Sequence, residues 1–383
     1  MILLYDQLLE LCDSTKAFFY KDVEWHGAKF RVFSYRSPTF QEFCRGGALE
    51  CRGIMYEIDA TARPVRVACR PMEKFFNLGE NPLTLNPDLS KLDRVMTKVD
   101  GSLISSFAHN DRLHLKSKTS LSSVQAMDAQ DWLGKRENGE FYRAVYELTM
   151  SGHTVNMEWT APHNRIVLGY KQEMLTVLNV RHNSTGNYLK IKEAWTRHPV
   201  LKAFWVAGTC VDRLTDDERT QFYPESVKQM EQIEGFVYVM ESGQMIKVKT
   251  DWYMNIHRAK DAAMNFRAVL EAVLRDRSDD LRHVLREVDP LALALLDRVE
   301  LKVKPWLNDV MARVDGFYEA NRFLDRKSYA IKATRECPDI HPLIMSVYSG
   351  REPAYADFAM KRYDFFKALC GVEGFEGLTE ECG

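Results

Sequence analysis

Lys98-Val99-Asp100-Gly101 places a lysine two residues ahead of an Asp-Gly pair, between segments that read as strands. Gly101 allows the backbone to turn and a ligand to approach closely. A reactive amine suits such a junction. For the tetrapeptide alone, a solvated lysine on a surface turn is the better reading. The reading therefore depends on what surrounds it.

Working outward, Gly53–Asp59 is strand-like, and Ser102–Phe107 with Leu113–Lys118 reads as a hairpin across His109-Asn110-Asp111. Leu175–Arg181 is a buried strand ended by Asn183–Asn187, and Phe236–Met240 with Met245–Lys249 forms a second hairpin around Glu241-Ser242-Gly243. Short strands mixed with helices thus fill residues 1–253, giving an α+β class with antiparallel sheets. Beyond 254 the apolar period becomes that of a helix. Asp289-Pro290 is a helix start, and Leu296, Val299, Val303, Trp306, Val310, Val314 and Phe317 trace one stripe. Pro305 is expected to kink that helix, and Tyr355–Leu369 reads as a last one. Residues 1–253 and 254–383 are accordingly expected to form two domains, the second all-α.

The bulk numbers bound the partners. The 383 residues are 45% hydrophobic and 28% charged, enough for a sizeable core. The net charge of -2 excludes a uniformly basic nucleic-acid binder, so any nucleic acid must meet a local basic surface. No apolar run is long enough to span a bilayer, and Met1–Asp6 lacks the basic start of a secretory signal. The eight cysteines form no CxxC pair, which argues against zinc and for buried thiols in a reducing cytoplasm.

Several polar residues sit where strand chemistry alone would not want them. Lys247 and Lys249 alternate with Ile246 and Val248, so both ammonium groups face one way and repel unless an anion lies between them. A solvated strand face is the plain alternative. Lys116 and Lys118 repeat the spacing. Glu158 interrupts the apolar run Val155–Trp159, and Glu234 stands at the mouth of Phe236–Tyr238; a buried carboxylate needs a partner, often a metal or a hydroxyl. Arg52, Arg70 and Lys74 are cations beside strand ends, for which ion pairs with Glu50 and Glu73 are the simple explanation. No GxxxxGK[ST] loop or dinucleotide fingerprint is present. A bound nucleotide would have to be held by side-chain cations.

The order Lys98-Val99-Asp100-Gly101, Glu158, Glu234-Gly235, Lys247-Val248-Lys249 resembles the covalent nucleotidyltransferases, and more closely the RNA ligase 1 family of T-even bacteriophages. Ser34-Tyr35, Leu49–Met55, Arg70–Leu78, Asn164–Leu168 and Lys249–Tyr253 (apart from Thr250) are similar to that family. The likeness continues through Ser278–Leu281, Asp325–Ala330 and Ile344–Tyr348; His198–Met230 and the last dozen residues are least similar.

The resemblance implies a ligase-type nucleotidyltransferase domain followed by helices, with no OB domain. It implies an ATP-dependent RNA ligase that works through lysyl-AMP on Lys98 and then an RNA-adenylate. In that reading Tyr35, Arg52, Lys74, Lys118, Glu158, Glu234, Lys247 and Lys249 bind ATP. Glu158 and Asp279 serve a magnesium ion, and Tyr253, near the entrance for RNA, acts after the first step. It further implies repair of tRNA cleaved in the anticodon loop after a polynucleotide kinase-phosphatase has healed the ends, by a monomer in the cytoplasm (a host's, if phage-encoded). A nick-sealing ligase of the same superfamily, or an inactive RNA-binding relative, are the competing readings. A capping enzyme or DNA ligase would need the OB domain that the helices replace.

Overall fold

A computed structural model of the chain describes residues 2–36, 38–276, 278, 282 and 290–372. It divides into two compact units, Met1–Tyr253 and Met254–Gly383.

The first unit holds three sheets. In the first, β1 (Phe18–Trp25), β2 (Ala28–Tyr35), β3 (Met55–Ile58) and β4 (Pro64–Cys69) pair antiparallel in chain order. The third contains β5 (Phe76–Asn77), β6 (Leu92–Thr97), β11 (Gly208–Cys210), β12 (Gly235–Met240) and β13 (Met245–Lys249) in the order β11-β6-β12-β13-β5. Between them in sequence, β7 (Ser102–His109), β8 (Arg112–Lys116), β9 (His153–Thr160) and β10 (Met174–His182) form the second sheet, ordered β10-β9-β7-β8. All pairs are antiparallel except the two-residue β13–β5 pair.

The β7–β8 hairpin closes on Asn110-Asp111, both with positive φ, as a tight two-residue turn of this hand requires. The helices Val124–Leu133 and Gly139–Met150 cover the second sheet and bury Leu133, Phe141, Val145 and Leu148 against Ile104, Val155, Met157 and Trp159. Phe30, Val32, Met55 and Cys69 of the first sheet meet Phe107 of the second, and Ile2–Ser14 packs Tyr5, Leu8 and Leu11 on the other face. Burial of this apolar surface is the main drive holding the layers together.

A polar clamp reinforces the junction of the first two sheets. Glu50 accepts from Arg70 at 2.7 Å and from Arg181 at 2.8 Å, while Arg181 also pairs with Glu73 at 2.7 Å. Arg70 therefore takes the simple ion-pair role considered for it.

In the second unit the expected stripe is the buried face of one helix, Pro290–Asn321. Asp289 lies outside the described residues. The helix runs unbroken through Pro305, whose absent N–H falls opposite the carbonyl of Leu301, a residue exposed to water. The expected last helix is instead two, Tyr355–Met360 and Tyr363–Cys370. Arg362 leaves helical geometry because its guanidinium is held over the Phe358 ring at 3.7 Å and donates to Asp339 O at 2.8 Å. Among the described residues no helix is long and apolar enough to cross a membrane.

Glu50→Ala should leave the buried Arg70 guanidinium without a carboxylate and Arg181 with Glu73 alone, at a cost of about 3–5 kcal/mol, read as a lowered urea midpoint by tryptophan fluorescence. A loss below about 1 kcal/mol, the scale of a surface ion pair, would show that the clamp is dispensable.

Candidate active site

Lys98–Gly101 connects β6 to β7 and so crosses from the third sheet to the second. Its start is tied down by the Lys98 N–H, which donates to Gly235 O at 2.9 Å. Its end is crowded: a Cβ on Gly101 would lie 2.4 Å from the carbonyl oxygen of Trp159. Between them, Asp100 is buried and fully engaged. Its Oδ1 accepts from the Tyr253 hydroxyl at 2.7 Å, and its Oδ2 from the N–H groups of Val167 and Leu168 at 2.8 and 2.6 Å. Its own N–H donates to the Tyr170 hydroxyl at 3.1 Å. The turn cannot shift without breaking several of these bonds, so Lys98 is offered from a fixed base.

The Lys98 ammonium pairs with Glu234 Oε1 at 2.8 Å, and Lys249 pairs with the same oxygen at 3.1 Å. Neighbouring strands place them: Phe236 lies opposite Thr97, and Gly235 opposite Lys249. Gly235 has φ 138°, and a Cβ there would meet Val248 O at 2.0 Å, so only glycine fits behind Glu234. Glu234 Oε2 is buried and has no hydrogen-bond partner among the described residues.

Glu158 reaches the same place from β9, where it lies opposite Leu103. Loss of water contact pushes its carboxyl up to about 7; Lys98 and Arg52 oppose the rise, Glu234 and Asp100 add to it.

The remaining cations close around this pair. Lys247 stands over the Phe75 ring at 4.8 Å. Burial, then Arg52, Lys74, Lys98 and Lys249, push its ammonium down to about 6. Lys118 lies over Tyr35 at 4.4 Å, pushed down to about 8 by burial and by Arg52 and Lys74. Burial also lowers Lys74, which sits over Phe76 at 5.2 Å. Arg52 bonds Tyr35 and the Met72 carbonyl. Neither Arg52 nor Lys74 takes up the ion pairing that the neighbouring acids offer Arg70 and Arg181.

The fold thus gathers Lys98, Tyr35, Arg52, Lys74, Lys118, Glu158, Glu234, Lys247 and Lys249. Asp279 lies outside the described residues. Two expectations about position need correcting. Tyr253 is buried beneath the lysine turn, because its hydroxyl is drawn to Asp100, and not at an entrance. Lys116 and Lys118 do not repeat the Lys247–Lys249 arrangement, because β8 ends at Lys116 and the chain turns there. Lys116 points inward, wholly buried.

Two participants escaped the sequence reading. Tyr170 lies in an irregular segment with no periodicity to mark it. Phe75 looks like ordinary core until Lys247 and Arg52 are seen over its ring. Asp100 stood in the quoted motif, but only its burial reveals its function as an anchor.

An amine held against a carboxylate, ringed by depressed cations, suits attack on a polyphosphate. The orphaned Glu234 Oε2 and the raised Glu158 carboxyl are suited to a hydroxyl or a hard dication. Among the described residues no three His, Cys, Asp or Glu side chains form a metal site by themselves.

Comparison with known proteins finds the chain similar to RNA ligases. The RNA ligase family model matches residues 50–253, and the model for the C-terminal domain of T4 RNA ligase 1 matches residues 260–360. A proposed RNA ligase of Thermovibrio ammonificans is 29% identical over 256 residues, 65% of this chain and 64% of that protein. A proposed bifunctional polynucleotide kinase/RNA ligase of Autographa californica nuclear polyhedrosis virus is 25% identical over 68% of this chain. This chain spans only 36% of that longer protein. Among solved structures, an archaeal ATP-dependent RNA ligase (form 2) aligns at 14% identity and TM-score 0.45, covering 80% of this chain and 79% of that one.

Tripolyphosphate should bind with proton uptake. An anion favours the ammonium forms of Lys247 and Lys118, which lose their protons near 6 and 8 in the empty site. Binding raises both values, so affinity should fall as pH rises from about 6 to about 8.5. Calorimetry in buffers of different ionisation enthalpy measures this; a buffer-independent heat at pH 7 would refute it.

Proposed function

This chain belongs to the RNA ligase family, and on that footing we propose that it is an ATP-dependent RNA ligase with Lys98 as its nucleophile. The observation that carries the proposal is the Lys98 amine, held by Glu234 on an anchored turn and faced by the cation cluster.

In the first step Lys98 Nζ forms a bond to the α-phosphorus of ATP, and the bond to the bridging oxygen breaks to release pyrophosphate. A proton must leave the amine, and Glu234 Oε1, at 2.8 Å, is the adjacent base. Arg52, Lys74, Lys118, Lys247 and Lys249 counter the charge on the triphosphate and on the departing pyrophosphate. Magnesium bound with Glu158 would neutralise further phosphate charge. Tyr35 steadies Arg52 through their hydrogen bond. An RNA 5′-phosphate then attacks lysyl-AMP, breaking the P–N bond. Finally an RNA 3′-hydroxyl attacks the activated phosphate and releases AMP.

The substrate reading is that residues 254–383 select a cleaved tRNA, working with a kinase-phosphatase. Support comes from the match of residues 260–360 to the T4 RNA ligase 1 C-terminal domain, and from a viral relative named for both kinase and ligase activities. Phe323 is 77% exposed beside Arg322, Arg326 and Lys327, a combination suited to phosphates and splayed bases. Arg322 pairs with Glu319, Lys332 bonds Asn321 and Arg335 pairs with Glu336, which leaves Arg326 and Lys327 better suited to phosphate.

Wild-type protein given α-labelled ATP and magnesium should carry acid-labile AMP, and Lys98→Ala should carry none. Label persisting on Lys98→Ala would assign another nucleophile. Tyr253→Phe removes a hydrogen bond to a charged carboxylate, a change of about 1.5–3 kcal/mol. Because Tyr253 holds the lysine turn, the variant should slow lysyl-AMP formation and sealing alike, by roughly tenfold or more. A Tyr253→Phe protein slowed only in sealing would instead place its effect after the first step.

A further inference from the structure

Lys116 is a lysine that the proposed chemistry leaves unused. It is 0% exposed, and no carboxylate forms an ion pair with it among the described residues. Its ammonium donates to three backbone carbonyl oxygens: Gly53 at 3.0 Å, Ser117 at 2.9 Å and Lys118 at 3.1 Å. Three acceptors around one amine are all satisfied only when it carries three hydrogens, so the carbonyls favour the ammonium against the burial that lowers it. Burying an unpaired ammonium is costly, and a simple core position would hold an apolar side chain.

The three carbonyls belong to two separate segments, and each segment carries a cation of the cluster. Gly53 follows Arg52 in the turn that leads to β3. Ser117 and Lys118 follow β8 of the second sheet. Lys116 therefore fastens the Arg52 turn to the Lys118 turn. A second observation points to the same closeness. Gly53 has φ 92°, and a Cβ there would lie 2.3 Å from Lys118 O and 3.3 Å from Lys116 Nζ. Sequence has made room for the two backbones to touch at the point where the ammonium bridges them.

We infer that Lys116 is a positioning residue for the ATP-dependent step: its ammonium fixes Arg52 and Lys118 at the spacing that grips the triphosphate, without itself touching the nucleotide. This rests on the reading of the cluster as an ATP site. Repulsion between Arg52 and Lys118 works against that spacing in the empty site. The backbone clamp resists it from behind, where no phosphate is needed, and so the grip is in place before ATP arrives.

The test compares two reactions of the full chain. The first is lysyl-AMP formation as a function of ATP concentration. The second is sealing of RNA whose 5′ end already bears AMP, which consumes no ATP. Lys116→Met keeps the stem and removes all three donors. Gly53→Ala wedges the same clamp open while leaving Lys116 intact, and it decides the matter if Lys116→Met does not fold. Each is expected to raise the KM for ATP about tenfold or more, with pre-adenylylated RNA sealed at near the wild-type rate. Lys116→Arg, with its longer reach and planar head, should not restore the KM.

An unchanged KM in a folded Lys116→Met protein would overturn the inference. So would an equal fall in both reactions, which marks a lysine needed only for folding. Failure of the underlying reading looks different: the wild-type protein would then take no label from ATP, and the inference would fall with it.

Discussion

One carboxylate oxygen, Oε1 of Glu234, receives two ammonium groups, those of Lys98 and Lys249. Nearly everything in the first unit is arranged around making that tolerable. Two ammonium groups share one carboxylate oxygen in a place with little water, and burial with the neighbouring cations pushes a third, that of Lys247, down to about 6. Such a site is under electrostatic tension when empty and relaxes when an anion enters. The tension has to be contained by covalent and hydrogen-bonded structure: the Lys98 turn fastened through Asp100, glycine at 235 pressed against Val248, and the Glu50 clamp between sheets. In the proposed ATP site, the crowding of cations and the suitability for a polyphosphate are thus one feature.

The sequence made some of this legible and hid the rest for identifiable reasons. Strand alternation put Lys247 and Lys249 on one face, and the register confirms the same geometry, because period two is a property of the backbone alone. Identical logic misled at Lys116 and Lys118. There the strand stops at Lys116, and alternation says nothing beyond a strand's end. Glu158 and Glu234 drew attention as acids among apolar neighbours, whereas the anchoring of Asp100 by Val167, Leu168, Tyr170 and Tyr253 depends on tertiary approach of segments 67 or more residues away. Nothing local encodes that approach. The helical unit was plain from its period, yet the break at Arg362 was not, since a ring and a distant carbonyl overrule local helix preference there.

Chemistry and support are divided among side chains of the same type. In the reading proposed above, Lys98 is the lysine placed to react, Lys247 and Lys249 those that meet the anion, and Lys116 the one that holds backbone together. What separates these roles is the company each amine keeps: a carboxylate, an aromatic face, or three carbonyl oxygens. Residue type alone would have assigned them alike.

The long helix Pro290–Asn321 has a consequence of a different kind. Its first half packs Leu295, Leu296, Val299 and Val303 into one apolar cluster with Phe266, Val269, Leu270 and Phe366. Its second half packs Val310, Val314 and Phe317 into another with Tyr329, Ile344 and Phe358. Trp306 touches both, one residue beyond the proline that interrupts the backbone ladder. The unit is therefore a single rod threaded through two interiors. Melting one interior need not empty the other, so amide exchange along this rod should fall into two cooperative blocks separated near Pro305. Natural variation can likewise repack one end of the rod while the other keeps its fit.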